Sequence, residues 1–273
     1  MENSFGSDSR MVDNKNGLDM NTIELFKNKL EKGETVYGPF VKSTDPALVE
    51  CAGYAGFDFV ILDMEHGPAG FSELQNLIRG AEVSGIIPIV RTSDSSEISI
   101  SRALDLGAKG VQIPQIHSVS EARQVIRAAK FYPEGERGVC RFVRAAAYSA
   151  LPRKDYFRQA NEALAILQVE GSQVLDELDE LLQVDGLDIL FIGPYDLSQS
   201  LGVPGEITHP SVVETIEAIT RKAREASVTA GVFCDTIESA ALWKSAGIQY
   251  ISYSVDVGLY TEICKSLIRT LKK

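Results

Sequence analysis

Six residues able to do chemistry follow directly on apolar runs. Asp63, Glu65 and His66 come after Phe57–Leu62, Arg91 after Ile86–Val90, Glu170 after Ala165–Val169, and Asp196 after Ile189–Ile192. A mostly apolar run of this length reads as a strand buried on both faces. In parallel α/β folds, ligands bind at the C-terminal edge of such strands, where loops can carry polar groups. Two carboxylates brought side by side, here Glu170 and Asp196, need a compensating cation or a shared proton. An all-oxygen set that leaves positions open for water or substrate suits Mg²⁺ or Mn²⁺. Arg91 has a packed stem and a forked head suited to bidentate carboxylate recognition. His66 can act as a base if an acid such as Asp63 fixes its tautomer. Simpler roles compete for each group. The two acids could cap helices, Arg91 could pair with Asp63 or Glu65, and His66 could hydrogen-bond structure.

Further polar groups sit at the same edge: Lys42, Gln112, Gln115, Gln168, Gly193, Tyr195, Asp235 and Asp256. Imine chemistry needs an amine there, desolvated enough to react. Only Lys42 qualifies, since Lys109 precedes its strand and the other lysines lie on helices or tails. A metal-assisted route is therefore expected over a Schiff base.

The elements that must position these groups recur as strand, polar turn and amphipathic helix. The spacing predicts strands at Val36–Val41, Phe59–Asp63, Ile86–Arg91, Gly110–Pro114, Ala165–Glu170, Ile189–Gly193, Ala230–Phe233 and Tyr250–Ser254. The first helix opens at Asp45-Pro46, a cap followed by proline at the first helical position. Others are expected at Phe71–Val83, Ser96–Leu106, Val119–Ala129, Ser172–Leu182, Val212–Glu225, Ile237–Ala246 and Leu259–Lys272. Stripes such as Leu74, Leu77, Ile78 and Ala81 cover one side of a sheet. Five glycines (Gly56, Gly85, Gly107, Gly186 and Gly247) stand where each returning helix would end in a left-handed turn. Eight alternating pairs match an α/β protein of the (β/α)₈ TIM-barrel type, a single domain over residues 20–273. A doubly wound open sheet would present G-x-G-x-x-G after its first strand, and the chain has none there. Residues 1–19 are expected to be disordered. The segment 131–161 breaks the rhythm with Arg137, Arg141 and Arg144, and so long a connection is expected to cover a site or meet a partner chain.

Composition narrows the class. With 273 residues, one domain can bury enough surface to be stable. A net charge of -11 argues against nucleic acid and acidic membranes as partners. Cys51, Cys140, Cys234 and Cys264 have no C-x-x-C spacing and read as reduced, cytoplasmic thiols. No apolar run approaches membrane-spanning length and no signal peptide is evident.

The segments F-D-F-V-I-L-D-M-E-H-G-P, I-I-P-I-V-R, L-G-A-K-G-V-Q-I-P-Q-I, E-A-R-Q-V-I-R-A-A-K-F-Y-P-E-G-E-R-G-V, L-Q-V-E-G and F-I-G-P-Y-D-L-S together resemble the HpcH/HpaI aldolase family, from about Thr22 to Lys272. The resemblance implies a metal-dependent pyruvate aldolase that reversibly cleaves a 4-hydroxy-2-oxo acid to pyruvate and an aldehyde. Substrates would be of the 4-hydroxy-2-oxoheptanedioate or 2-dehydro-3-deoxyglucarate type. It also implies a C-terminal helix exchanged between paired subunits and a homo-hexamer of three such pairs. By the family pattern, Glu170 and Asp196 hold a divalent cation (Mg²⁺, Mn²⁺ or Co²⁺), and Arg91 holds the pyruvate carboxylate and keto region. His66 and Asp63 would serve proton transfer, Gln168 the pyruvyl group, and the amides around Gly193 and Tyr195 the carboxylate. Tyr195 and Phe233 depart from the pattern, where smaller residues occur, and bear on the aldehyde end. Rival readings are an acyl-CoA lyase of malyl- or citryl-CoA type, using Arg137–Arg144 for the nucleotide, a phosphoenolpyruvate-type mutase, and a non-catalytic assembly protein.

Overall fold

The computed structural model describes residues 21–171 and 173–273, so the predicted disorder of residues 1–19 lies outside the described residues. Eight parallel strands close in sequence order into a barrel. They are β1 (Val36–Val41), β2 (Phe59–Asp63), β3 (Ile87–Arg91), β4 (Gly110–Ile113), β5 (Leu164–Val169), β6 (Ile189–Ile192), β7 (Thr229–Cys234) and β8 (Tyr250–Val255). Each predicted strand is present within a residue or two. The helices are α1 (Asn21–Glu31), α2 (Pro46–Tyr54), α3 (Phe71–Ser84), α4 (Glu97–Asp105), α5 (Val119–Ala129), α6 (Arg153–Asn161), α7 (Gln173–Asp176), α8 (Leu178–Leu181), α9 (Pro194–Ser200), α10 (Pro210–Glu225), α11 (Ile237–Ser245) and α12 (Asp256–Leu271). The expected cap is present: Asp45 accepts the Ala47 N–H at 2.9 Å, with Pro46 opening α2. All five predicted turn glycines have positive φ.

Strand alternation divides the core in two. Val36, Phe40, Phe59, Ile61, Ile87, Ile89, Leu164, Ile166, Ile189, Phe191 and Tyr250 pack inside the barrel. Their neighbours, such as Val60, Leu62, Val90, Val111, Ala165, Leu167, Leu190 and Val232, face the helices. Because side chains alternate with period two, the inward phase continues to Lys42, Asp63, Arg91, Gln112, Gln168, Gly193 and Phe233. The floor is closed by α1, a helix the sequence reading did not place. Its Ile23, Phe26 and Leu30 are buried in the inner cluster, and Phe26 meets the Phe59 ring edge-on at 6.0 Å.

Three expectations need correction. The helix predicted at Ser172–Leu182 is two short pieces, α7 and α8, and Glu177 between them accepts the Val119 N–H at 3.0 Å. The helix nearest after β6 is the short α9, with α10 following it. The long segment 131–161 does not cover the mouth. It leads from the end of α5 to the start of β5, so it lies at the floor side, with its own small core of Phe131, Ala146 and Tyr156. Its arginines are committed there: Arg137 to Asp105, Arg141 to the Ser149 and Leu151 carbonyls, and Arg144 to Glu82 and the Leu106 carbonyl. No described helix is long and apolar enough to cross a membrane. The last helix, α12, buries no residue against its own barrel.

Candidate active site

A cavity of about 450 Å³ opens at the C-terminal end of the barrel. The inward phase brings Arg91, Gln168, Gly193 and Phe233 to it, and the adjoining loops add His66, Glu170, Tyr195 and Asp196. Asp63 lies just beneath, 2% exposed.

Arg91 organises the β2–β3 side. Its Nε donates to Asp63 Oδ1 at 2.9 Å and Nη2 to Oδ2 at 2.7 Å, while Nη1 pairs with Glu65 Oε2 at 2.8 Å. The guanidinium also lies 4.6 Å over the Phe40 ring, a partner absent from the sequence expectations. Burial pushes the Asp63 carboxyl up, but the hydrogen bonds and charge of Arg91, the His66 amide and Lys42 outweigh it and hold the group below its ordinary value. The expected Asp63–His66 link is of a different kind from the one predicted. Asp63 Oδ1 accepts the backbone N–H groups of Glu65 (3.1 Å) and His66 (3.2 Å), so it shapes the turn. The imidazole instead faces Glu65, with Nε2 3.9 Å from Oε2. Glu65 is held in turn by Gln115, whose Nε2 donates to Oε1 at 3.0 Å.

Across the mouth, Glu170 and Asp196 converge on Gly193. A methyl group on Gly193 would come within 3.3 Å of both Asp196 Oδ2 and Glu170 Cγ, so the absent side chain leaves room between the acids. Gln112 Nε2 donates to Gln168 Oε1 at 2.5 Å, and Gln168 Nε2 donates to Glu170. Burial pushes the Glu170 carboxyl up. The hydrogen bond from Gln168 opposes this, while the negative charges of Asp196 and Glu65 add to it. The half-buried Glu170 and the exposed Asp196 offer an all-oxygen pair that fits a divalent ion bound through one or two carboxylates and keeping several waters. Among the described residues no group of three or more His, Cys, Asp or Glu forms a fuller cage.

The carboxylate cradle also differs from expectation. The Gly193 N–H is donated to the Val169 carbonyl at 3.3 Å. The first-turn amides of Tyr195 and Asp196, which have no intrahelical acceptor, remain for an anion. Tyr195 and Phe233 form a wall, with rings 6.3 Å apart. The Tyr195 hydroxyl donates to Asp235 Oδ2 at 2.5 Å, and this bond, with burial, pushes the phenol up to about 12. Gln112 and Asp235 were expected at this edge without a task, and Phe40 was not expected there; counting by twos along β1 would have found it.

The sequence profile described as HpcH/HpaI aldolase/citrate lyase matches residues 37–262. The 2-keto-3-deoxy-L-rhamnonate aldolase of Escherichia coli strain K12 is 36% identical over 239 residues, 87% of this chain and 89% of that protein. Among solved structures, an HpcH/HpaI aldolase/citrate lyase family protein from Burkholderia cenocepacia J2315 superposes with a TM-score of 0.86 at 29% identity, covering 91% of this chain and 99% of the other. An HpcH/HpaI aldolase from Desulfitobacterium hafniense DCB-2 gives 0.84 at 30% identity, covering 90% and 96%.

Proposed function

This chain belongs to the HpcH/HpaI aldolase/citrate lyase family of metal-dependent carbon–carbon lyases, and from that premise we propose that it reversibly cleaves a 4-hydroxy-2-oxo acid to pyruvate and an aldehyde. The observation that carries the reading is the convergence of Glu170 and Asp196 on Gly193, facing an arginine and a histidine. The substrate in the name of the Escherichia coli relative, a 2-keto-3-deoxy sugar acid, is of this class.

Each residue then has a task. Glu170 and Asp196 hold the divalent cation, Mg²⁺, Mn²⁺ or Co²⁺. When bound, that ion supplies Lewis-acid polarisation of a 2-oxo carbonyl and positive charge for the electrons that bond cleavage releases. Arg91 donates two of its five N–H groups to Asp63 and sets Nη1 beside Glu65 as an ion pair, which leaves about three N–H groups for the oxygens of the 2-oxo acid. The amides of Tyr195 and Asp196 hold the substrate carboxylate from the other side, and Gln168 orients Glu170 beside the pyruvyl group. His66 takes the proton of the C4 hydroxyl as the C3–C4 bond breaks and its electrons pass into the pyruvate enolate, then delivers a proton to C3 to give pyruvate; condensation runs the two transfers in reverse. Asp63 serves by fixing Arg91 and the His66 backbone. Tyr195 and Phe233 bound the aldehyde end. The unburied α12, with Val257, Tyr260, Ile263, Leu267 and Leu271 exposed at helical spacing, supports a homo-oligomer in which paired subunits exchange that helix; the hexamer of three pairs and the cytoplasmic location rest on the family resemblance. The family description also covers citrate lyases, which fits the acyl-CoA alternative, but that reading would need a nucleotide site other than Arg137, Arg141 and Arg144, which are engaged at the floor.

The test is aldol synthesis and cleavage with pyruvate and a panel of aldehydes, after chelation and after adding back each metal. Activity should vanish with chelator and return with metal. Cleavage that persists in chelator and is trapped on Lys42 by borohydride would overturn the reading.

A further inference from the structure

Among the described residues Lys42 is the one lysine that lines the mouth, and the reaction as described leaves it without a task. It ends the inward phase of β1 and lines the cavity. In the closed strand order β1 neighbours β2 and β8 and lies opposite β5, so Lys42 faces Glu170 and Asp196 across the opening. Its backbone is fixed: the Lys42 and Ser43 N–H groups donate to Asp256 Oδ1 and Oδ2 at 3.0 and 2.9 Å. Its ammonium is not. Among the described residues its one ion pair is with Asp63 Oδ2 at 3.7 Å, beyond hydrogen-bond reach. That oxygen already accepts Arg91 Nη2 at 2.7 Å. Arg91 is balanced by two carboxylates, so Lys42 supplies the uncommitted positive charge on this side. Beside it, Phe40, Phe233 and Val255 form an apolar wall. Such a wall suits an aliphatic spacer and strengthens a charge pair at its end.

We propose that Lys42 is a specificity-determining residue that binds a carboxylate at the far end of the aldehyde half, so that the enzyme selects a semialdehyde acid over an uncharged aldehyde. This rests on the aldol reading: a 2-oxo acid anchored at Glu170 and Asp196 directs its departing carbons across the mouth. The fixed backbone presents the ammonium there. The approach of the substrate carboxylate replaces the long contact to Asp63 with direct, charge-assisted hydrogen bonds.

The experiment compares wild type, Lys42→Met and Lys42→Arg as full-length, metal-loaded enzymes. Succinic semialdehyde and butyraldehyde, equal in carbon count and different in charge, are each condensed with pyruvate. In Lys42→Met the ratio of kcat/KM for the anionic over the neutral aldehyde should fall roughly 10- to 100-fold, the worth of one charge-assisted hydrogen bond. The fall should lie in the KM of succinic semialdehyde, and Lys42→Arg should recover part of it. Equal losses for both aldehydes would mean that Lys42 acts through Asp63, and an unchanged ratio would mean no role in selection. Either result overturns the proposal. Calorimetric binding of 4-hydroxybutyrate, an unreactive probe, separates this inference from the aldol reading. If wild type condenses no aldehyde yet binds the probe and loses it in Lys42→Met, the aldol reading fails and the carboxylate site stands. If wild type does not bind the probe, or binds it as tightly after the substitution, the carboxylate site is overturned.

Discussion

The two ends of the barrel carry the same kinds of charged residue and treat them oppositely. At the floor, charges close on partners within the chain. Lys29 pairs with Asp58 at 2.6 Å, Arg137 with Asp105, and Arg144 with Glu82. Lys130, buried, donates to the Asn161 and Ala163 carbonyls at 2.7 and 2.6 Å. At the mouth, Glu170 and Asp196 stand beside Gly193, and among the described residues neither has an ion pair and the Lys42 ammonium makes no hydrogen bond. Floor charges hold elements together. Glu170, Asp196 and Lys42 at the mouth are left without close partners of opposite charge among the described residues, and under the proposed function a ligand that pairs them adds stability.

The largest expected effect tests the mouth directly. Glu170→Gln with Asp196→Asn removes the crowded negative charge without changing shape. Aldol activity should fall on the order of 10³-fold or more, the scale of losing groups aimed at developing charge. Without metal, the double variant should melt no lower than wild type, because like charges have been relieved. Mg²⁺ or Mn²⁺ should raise the melting temperature of wild type by mass action and leave the variant unmoved. A metal-dependent shift that survives in the variant would place the ion elsewhere and break the contrast between the two ends.

Asp63 sharpens it, being a mouth carboxylate tied as tightly as those at the floor. Asp63→Asn should destabilise by about 3 kcal/mol at neutral pH, since it leaves the Arg91 fork half-unpaired in a buried place. The pH dependence follows from the lowered carboxyl of Asp63. Below the ordinary aspartate range the unfolded chain takes up the proton first. The stabilisation is therefore complete above about pH 4 and is lost as pH falls through the folded value. Melting curves of both proteins from pH 7 to pH 3 should converge in acid. A gap that stays constant would show that Asp63 acts through packing alone.

Much of this was readable in the residues, and the part that was not has physical reasons. Strand and helix periods and the left-handed glycines specify the barrel locally, because each rests on contacts within a single β/α unit. The chemistry at the strand ends was equally visible, since polar residues interrupting buried runs need a reason. What Arg91 would bind was open: its type suits a carboxylate, but Asp63, Glu65 and a substrate all present one. Only the register that sets Asp63 beside Arg91 decides who holds the fork in this structure. The floor helix α1 was missed because its apolar residues, Ile23, Phe26 and Leu30, seal a barrel end and cover no sheet face. Asp235 was missed as the partner of Tyr195 because the contact joins residues 40 apart across two loops.

The floor yields the smallest effect and the cleanest control. Arg144 grips Glu82 through both Nη atoms, and its Nη1 also donates to the Leu106 carbonyl at 2.9 Å. It can lie there because Gly107, at φ +104°, has no side chain; a Cβ would stand 2.7 Å from that nitrogen. The arrangement ties segment 131–161 to the ends of α3 and α4 and touches nothing at the mouth. Arg144→Ala should therefore lower stability by about 1–2 kcal/mol, a loss of charge-assisted hydrogen bonds that are partly screened by solvent. That corresponds to a fall of several degrees in melting temperature for a chain of this size. The kcat/KM for the aldol reaction and the metal-induced melting shift should both stay within about twofold of wild type, as additivity predicts for well-separated sites. If either moved with the stability, floor and mouth would be coupled through the strands, and charges at the two ends could no longer be assigned separate work.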